Sequence, residues 1–215
     1  MERVPEKFAA LQRLLRPSPQ AAPGERCDYC AVPLPHEHGH LIDMQARRIM
    51  CSCRPCWLVF EPEGAAQGRY RPVPTRYAEL AGFTIDDATW DALGIPIGLA
   101  FFFYNSIEKR TIALYPGPAG ATESELDLAA WTALANDDPE IATLQHDVEA
   151  VLVLRRGGTT RTFIVPIDAA YKLVGIIRTA WRGFDGGPDA WEKIDAFFDE
   201  LRERASGRIG AGSGW

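Results

Sequence analysis

Two cysteine pairs constrain this chain more than any other feature of it. Cys27-Asp28-Tyr29-Cys30 and Cys53-Arg54-Pro55-Cys56 are both CxxC, with 22 residues between them. Zinc takes four soft or borderline donors at tetrahedral corners, and a CxxC turn supplies two thiolates from one tight loop. Between the pairs, His40-Leu41-Ile42-Asp43 and Arg48-Ile49-Met50-Cys51 read as short strands around Met44-Gln45-Ala46-Arg47. That hairpin brings two such turns together, so Cys27, Cys30, Cys53 and Cys56 are the expected metal ligands. Four protein ligands leave no open position, which argues against a catalytic metal there.

Further donors crowd the same stretch. Cys51 stands two before Cys53, so on a strand the two side chains share a face, and Cys51 is an alternate ligand. His36, His38 and His40 form an HEHGH run before the first strand. The plain reading is a solvated loop. Beside five cysteines, however, His38 or His40 is also an alternate ligand, and the cluster can hold a second, exchangeable ion. Zinc is the expected cofactor; iron in four thiolates is the alternative and makes a rubredoxin-like electron carrier.

The fold class predicted is α+β: an N-terminal zinc-ribbon or rubredoxin-like module, then an antiparallel-sheet body with covering helices. Residues 1–26 hold a short amphipathic helix, Pro5 to Leu15, and a Pro/Ala/Gly linker; 27–64 are the metal module; 65–206 are the body; 207–215 are a Gly/Ser-rich flexible tail. In the body, Asp86 to Leu93 reads as a helix, and Ile97 to Tyr104 and Thr111 to Tyr115 as strands. Asp127 is placed to cap a helix over Leu128 to Ala135, and Asp138-Pro139 opens a further turn. Val148 to Leu154 and Thr160 to Val165 form a hairpin around Arg156-Gly157-Gly158. Two helices follow. The first, Asp168 to Trp181, is read with Tyr171, Val174, Ile177 and Trp181 inward. The second starts after Gly187-Pro188 and turns Trp191, Ile194, Phe198 and Leu201 inward. The two hairpins are expected to be covered by helices on one side.

Charge and motifs exclude several classes. The net charge of −6 offers no global attraction to nucleic acid or anionic lipid, although residues 1–60 carry +2 and the rest −8. No apolar signal region is seen, and the run from Ile95 to Tyr104 is too short to span a bilayer. A cytoplasmic protein with reduced thiols, without nucleic acid or membrane insertion, is the expectation. Neither a phosphate loop nor a GxSxG or HExxH motif occurs, and His146 is the only histidine after the cysteine region. One loop, Tyr115-Pro116-Gly117-Pro118-Ala119-Gly120-Ala121-Thr122-Glu123-Ser124, has the composition of either a connector or an anion-binding nest.

With those residues in hand, the chain resembles a mainly actinobacterial family encoded beside uptake NiFe hydrogenases. The matching stretches are CDYCAVPLPHEHGHLID, RIMCSCRPC, LAFFF, YPGPAGATES and VPIDAAYKLVGIIRTAWRGFDGG. The family pattern CxxC, HxHL and CxCxxC falls on Cys27/Cys30, His38/His40 and Cys51/Cys53/Cys56. The resemblance implies no activity. It implies an accessory role in hydrogenase maturation, assembly or electron delivery, with a hydrogenase subunit or maturation factor as partner. The leading expectation is thus a non-catalytic zinc-binding accessory protein acting by protein–protein interaction. Tyr29, Trp57, Arg47, Arg48 and Arg54 would serve as its aromatic and cationic anchors. The alternatives are the iron electron carrier and an enzyme with a site near Pro116–Glu123.

Overall fold

A computed structural model describes residues 24–62, 64–117, 120–124, 129–183 and 185–207. The expected N-terminal helix, the Asp127 cap and the tail beyond Gly207 lie outside the described residues.

The cysteine region is built on the expected hairpin. Strands β1 (Gly39–Asp43) and β2 (Arg48–Ser52) pair antiparallel from Gly39↔Ser52 to Asp43↔Arg48. Its turn is written in the sequence. The Asp43 carboxylate accepts the backbone N–H groups of Gln45 and Ala46, each at 3.0 Å, the local bond that makes Asp a turn former. Helix α1 (Arg54–Phe60) follows, with a proline in its first turn. Strand β3 (Tyr70–Pro72) then returns to the far side of β1, and Arg69 closes on the Asp43 carboxylate at 2.9 Å. This three-stranded sheet, order β2-β1-β3, therefore reaches past residue 64.

The second sheet has six strands, all antiparallel, in the order β4-β9-β8-β5-β6-β7. The members are β4 (Ala78–Glu79), β5 (Leu99–Asn105), β6 (Arg110–Gly117), β7 (Gly120–Glu123), β8 (Glu149–Arg156) and β9 (Thr159–Pro166). Both hairpins expected from the sequence are present, and pairing of β5 with β8 joins them. Gly157 and Gly158 turn β8 into β9 with φ of 58° and 75°, the left-handed pair that a two-residue hairpin loop requires. The Pro116–Glu123 segment is no free loop: β6 runs on to Gly117, and β7 folds back against it as the sheet's edge.

Helices cover both faces of this sheet, not one. On one face, α4 (Ile167–Ala180) and α5 (Gly187–Ala205) bury Leu173, Ile177, Ile194 and Phe198 against Phe101, Leu152 and Phe163. On the other, the segment from Leu80 to Ile95 with α2 (Asp87–Ala92), and α3 (Ala129–Asp137), place Phe83, Trp90, Leu93 and Trp131 over Phe102, Val151 and Ile164. Alternate side chains of a strand point to opposite faces, so Phe101 and Phe102 enter different cores. That is why LAFFF and AVLVL are unbroken apolar runs instead of alternating ones. Burying each such side chain contributes about 1.5–3 kcal/mol.

The inward face of α4 also differs from expectation. Ala170, Leu173, Ile177 and Ala180 are buried, while Tyr171 is 43% exposed. The large aromatic suggests an apolar stripe, but the small residues are what let the helix lie close to the sheet. Trp181 is buried and Trp191 packs beside it, with ring centroids 6.0 Å apart. Gly186 sits against the Trp181 ring, where a Cβ would come within 2.9 Å, and with φ of 88° it opens α5.

The small sheet is seated on the large one at defined points. Ile42 packs on the α4/α5 core, Arg71 reaches the carbonyl of His146 and the carboxylate of Asp147, and His40 Nδ1 lies 2.7 Å from Asp168 Oδ2 at the start of α4.

Candidate metal centre

The sulfur atoms of Cys27, Cys30, Cys53 and Cys56 lie within 4.8 Å of one another, and Cys30 Sγ and Cys53 Sγ are 3.5 Å apart. Two unlike pieces of backbone deliver them. Cys27 and Cys30 come from a tight turn. There Ala31 N–H donates to the Cys27 carbonyl, Cys27 N–H donates to Val32, and Ala31 itself is left-handed with φ of 58°. Cys53 and Cys56 come from the start of α1, where Cys53 is the capping residue and its carbonyl accepts Trp57 N–H. The sequence suggests two matching turns; the second pair instead uses the first turn of a helix, which also places sulfurs three residues apart on one side.

The two halves are tied together through Asp28. Its backbone N–H donates to the Cys51 carbonyl at 2.9 Å and its carboxylate accepts Cys51 N–H at 2.7 Å. The residue inside the first CxxC thus fixes the strand that leads into the second.

The donor set fits a metal. Burial pushes the Cys27 thiol up, but backbone N–H groups of Cys53, Cys30 and Tyr29 aim at its sulfur and bring it down to about 6. Donors pointed at a sulfur stabilise a thiolate, the form that binds metal. Burial raises Cys53 and Cys56, with the neighbouring thiols adding to the effect at Cys56. Four sulfurs in one small space need a cation if all are to ionise, and zinc and iron take this set.

The structure gathers the remaining donors elsewhere. Donor atoms of His38, His40 and Cys51 form a second group, also within 4.8 Å of one another. Cys51 is the cross-strand partner of His40, so strand pairing sets them side by side. His36 is exposed and in neither group.

Of the anchors expected from sequence, Tyr29 packs on Phe60 and Tyr70, Arg54 lies over the Trp57 ring, and Arg47 pairs with Glu108 of the body. Arg48 is exposed. The sequence reading passed over Val32, Leu58 and Val59, which are 44%, 42% and 65% exposed on the first turn and α1. A run of Trp-Leu-Val-Phe on a short helix cannot bury every side chain, and that was the available signal.

Fold and cysteine cage define an α+β protein with antiparallel sheets and a candidate four-cysteine metal centre. The chain belongs to a family of unknown function (DUF5947), whose model matches residues 26–205. No curated protein and no solved structure matches it. Among the described residues, no helix is long and apolar enough to cross a membrane.

Proposed function

We propose that this chain is a zinc-binding accessory protein that works by holding a partner, and that the partner is a hydrogenase subunit or one of its maturation factors. The closed cage carries the reading. Cys27, Cys30, Cys53 and Cys56 use all four tetrahedral positions, leaving none for a substrate, so the ion serves to hold shape. The shape it holds presents Val32, Leu58 and Val59 to solvent, apolar side chains suited to a protein surface. The hydrogenase link rests on the resemblance of the sequence motifs.

Elemental analysis of protein purified without added metal should give one tightly held zinc per chain after dialysis. A red protein with ferric tetrathiolate absorption would replace this reading with electron transfer. A pull-down from cells making the hydrogenase should recover a subunit or maturation factor. Leu58→Glu with Val59→Glu should weaken recovery at unchanged zinc content. Hydrogenase activity that survived loss of the gene, with no partner recovered, would count against the proposal.

A further inference from the structure

We propose that His38, His40 and Cys51 form a second metal site, three-coordinate from the protein and open on its fourth side, for an exchangeable divalent ion of the zinc–cobalt–nickel class. It stands on its own donors and does not depend on the hydrogenase link.

Hydrogen bonding assigns the tautomers. His38 Nδ1 lies 3.0 Å from the carbonyl oxygen of Pro35, with Glu25 Oε2 at 3.6 Å. A carbonyl oxygen only accepts, so Nδ1 carries the proton and the Nε2 lone pair is available. His40 Nδ1 lies 2.7 Å from the Asp168 carboxylate, with the same consequence. An imidazole whose distal N–H is held by a carbonyl or carboxylate is the usual supporting arrangement of a metal-binding histidine.

His38 Nε2 gives the second observation. The side chain is only 4% exposed, and this nitrogen is buried without a hydrogen-bond partner. A buried, unmatched acceptor carries a desolvation cost that native structures seldom leave standing. Its ring lies 4.8 Å from that of His40, centroid to centroid. A cation among His38, His40 and Cys51 would satisfy it.

The scaffold is rigid where it needs to be. The Cys51 backbone is held on both its polar groups by Asp28, so the turn that serves the first cage also fixes the thiol of the second. The charge balance is reasonable: two neutral imidazoles and one thiolate leave a divalent ion at +1, with Asp168 against His40. His38 and His40 also line a cavity of about 430 Å3 shared with His36, Glu37, Lys172 and Arg204. Three protein ligands leave a fourth tetrahedral position for water or an exogenous ligand, and they hold an ion less firmly than four. The mixed nitrogen and sulfur set suits zinc, cobalt and nickel and disfavours magnesium or calcium.

The test adds Co2+ to zinc-replete full-length protein and counts ions by native mass spectrometry. One zinc and one cobalt per chain are expected, with ligand-field bands and charge transfer from a single thiolate, and brief chelation should remove the cobalt alone. His38→Ala should abolish cobalt uptake at unchanged zinc content, and Asp168→Asn should weaken it by about 10–100-fold. Cys51→Ser should remove the charge-transfer band; should that variant fail to fold, His38→Ala still decides. Wild-type protein that took no second ion, or a His38→Ala variant that bound cobalt as tightly, would overturn the proposal. Failure to recover a partner would leave this ion count untouched.

Discussion

Up to Pro62 the buried apolar side chains among the described residues are Cys27, Leu41 and Met50, one of them a ligand candidate. The six-stranded sheet, by contrast, carries fully buried Phe102, Phe163, Leu152, Leu154 and Ile164 and is packed on both faces. The body can hold its shape by burial. The head is below the size at which burial suffices, and its sulfur cage stands where a core would be. The contrast predicts that burial holds the body and that a metal in the cage holds the head, with His40–Asp168, Arg71–Asp147 and Arg47–Glu108 among the contacts between them.

The largest effect should come from the cage. Cys27→Ser or Cys56→Ser should lose the ion and unfold the head, since structural zinc contributes about 10–16 kcal/mol to small modules. Hydrogen exchange should then show β1 and β2 amides unprotected while β8 and β9 stay protected. If both sets opened together, the contacts His40–Asp168 and Arg71–Asp147 would be making one cooperative unit of the two regions. Next, Phe102→Ala removes a ring stacked 3.8 Å from Trp131 and should destabilise the body by about 3–5 kcal/mol. Zinc content should not change.

Smaller effects should follow pH, with opposite signs. A hydrogen bond from Arg69, aided by the turn N–H groups, holds the Asp43 carboxyl at about 2 against an ordinary 3.8. Its contribution to the head is present above pH 3.8 and is lost as pH falls toward 2. Burial raises Glu149 above its ordinary 4.5, against the Gln145 N–H and Arg76, so its proton favours the folded body. That contribution is present below 4.5 and is lost as pH rises through the folded value. Thermal midpoints of Asp43→Asn and Glu149→Gln across pH should lose, respectively, the decline as pH falls from 3.8 toward 2 and the decline as pH rises above 4.5. Smallest of all, Arg47→Ala removes an exposed ion pair to Glu108 between the two regions and should leave both midpoints unchanged within error.

Local signals were the legible ones. The CxxC pairs, the hairpin closed by Asp43, the Gly157-Gly158 turn and the spans of α4 and α5 follow from neighbouring residues, and the structure has them. What escaped depends on distance along the chain. Strand β4 is too short to show a period, and β7 hides in a stretch rich in glycine. Trp90 and Trp131 reveal a second covered face only once the sheet exists. At the site, the cysteines were readable, but the pairing of His40 with Asp168 spans 128 residues and no motif announces it. The division of the donors into two groups was equally hidden, because His40 meets Cys51 through strand register.

The short outer strands bear on how this chain survives its own synthesis. LAFFFYN and AVLVL combine aromatic and branched side chains with little charge, the composition that seeds cross-β stacking when exposed. In the finished sheet they lie at the centre, and the rims are the two-residue β4, whose Glu79 is bonded to Arg202, and the four-residue β7. Such rims give another molecule little to add a strand to. On the ribosome the order is less forgiving, because β5 emerges well before β8 exists to flank it. Glu108, Lys109 and Arg110 after β5 and the Arg155-Arg156 pair closing β8 are charges at the positions where gatekeepers against stacking are usually found. A copy truncated before Thr159 would expose the whole length of β8, and should be recovered from the cell as aggregate.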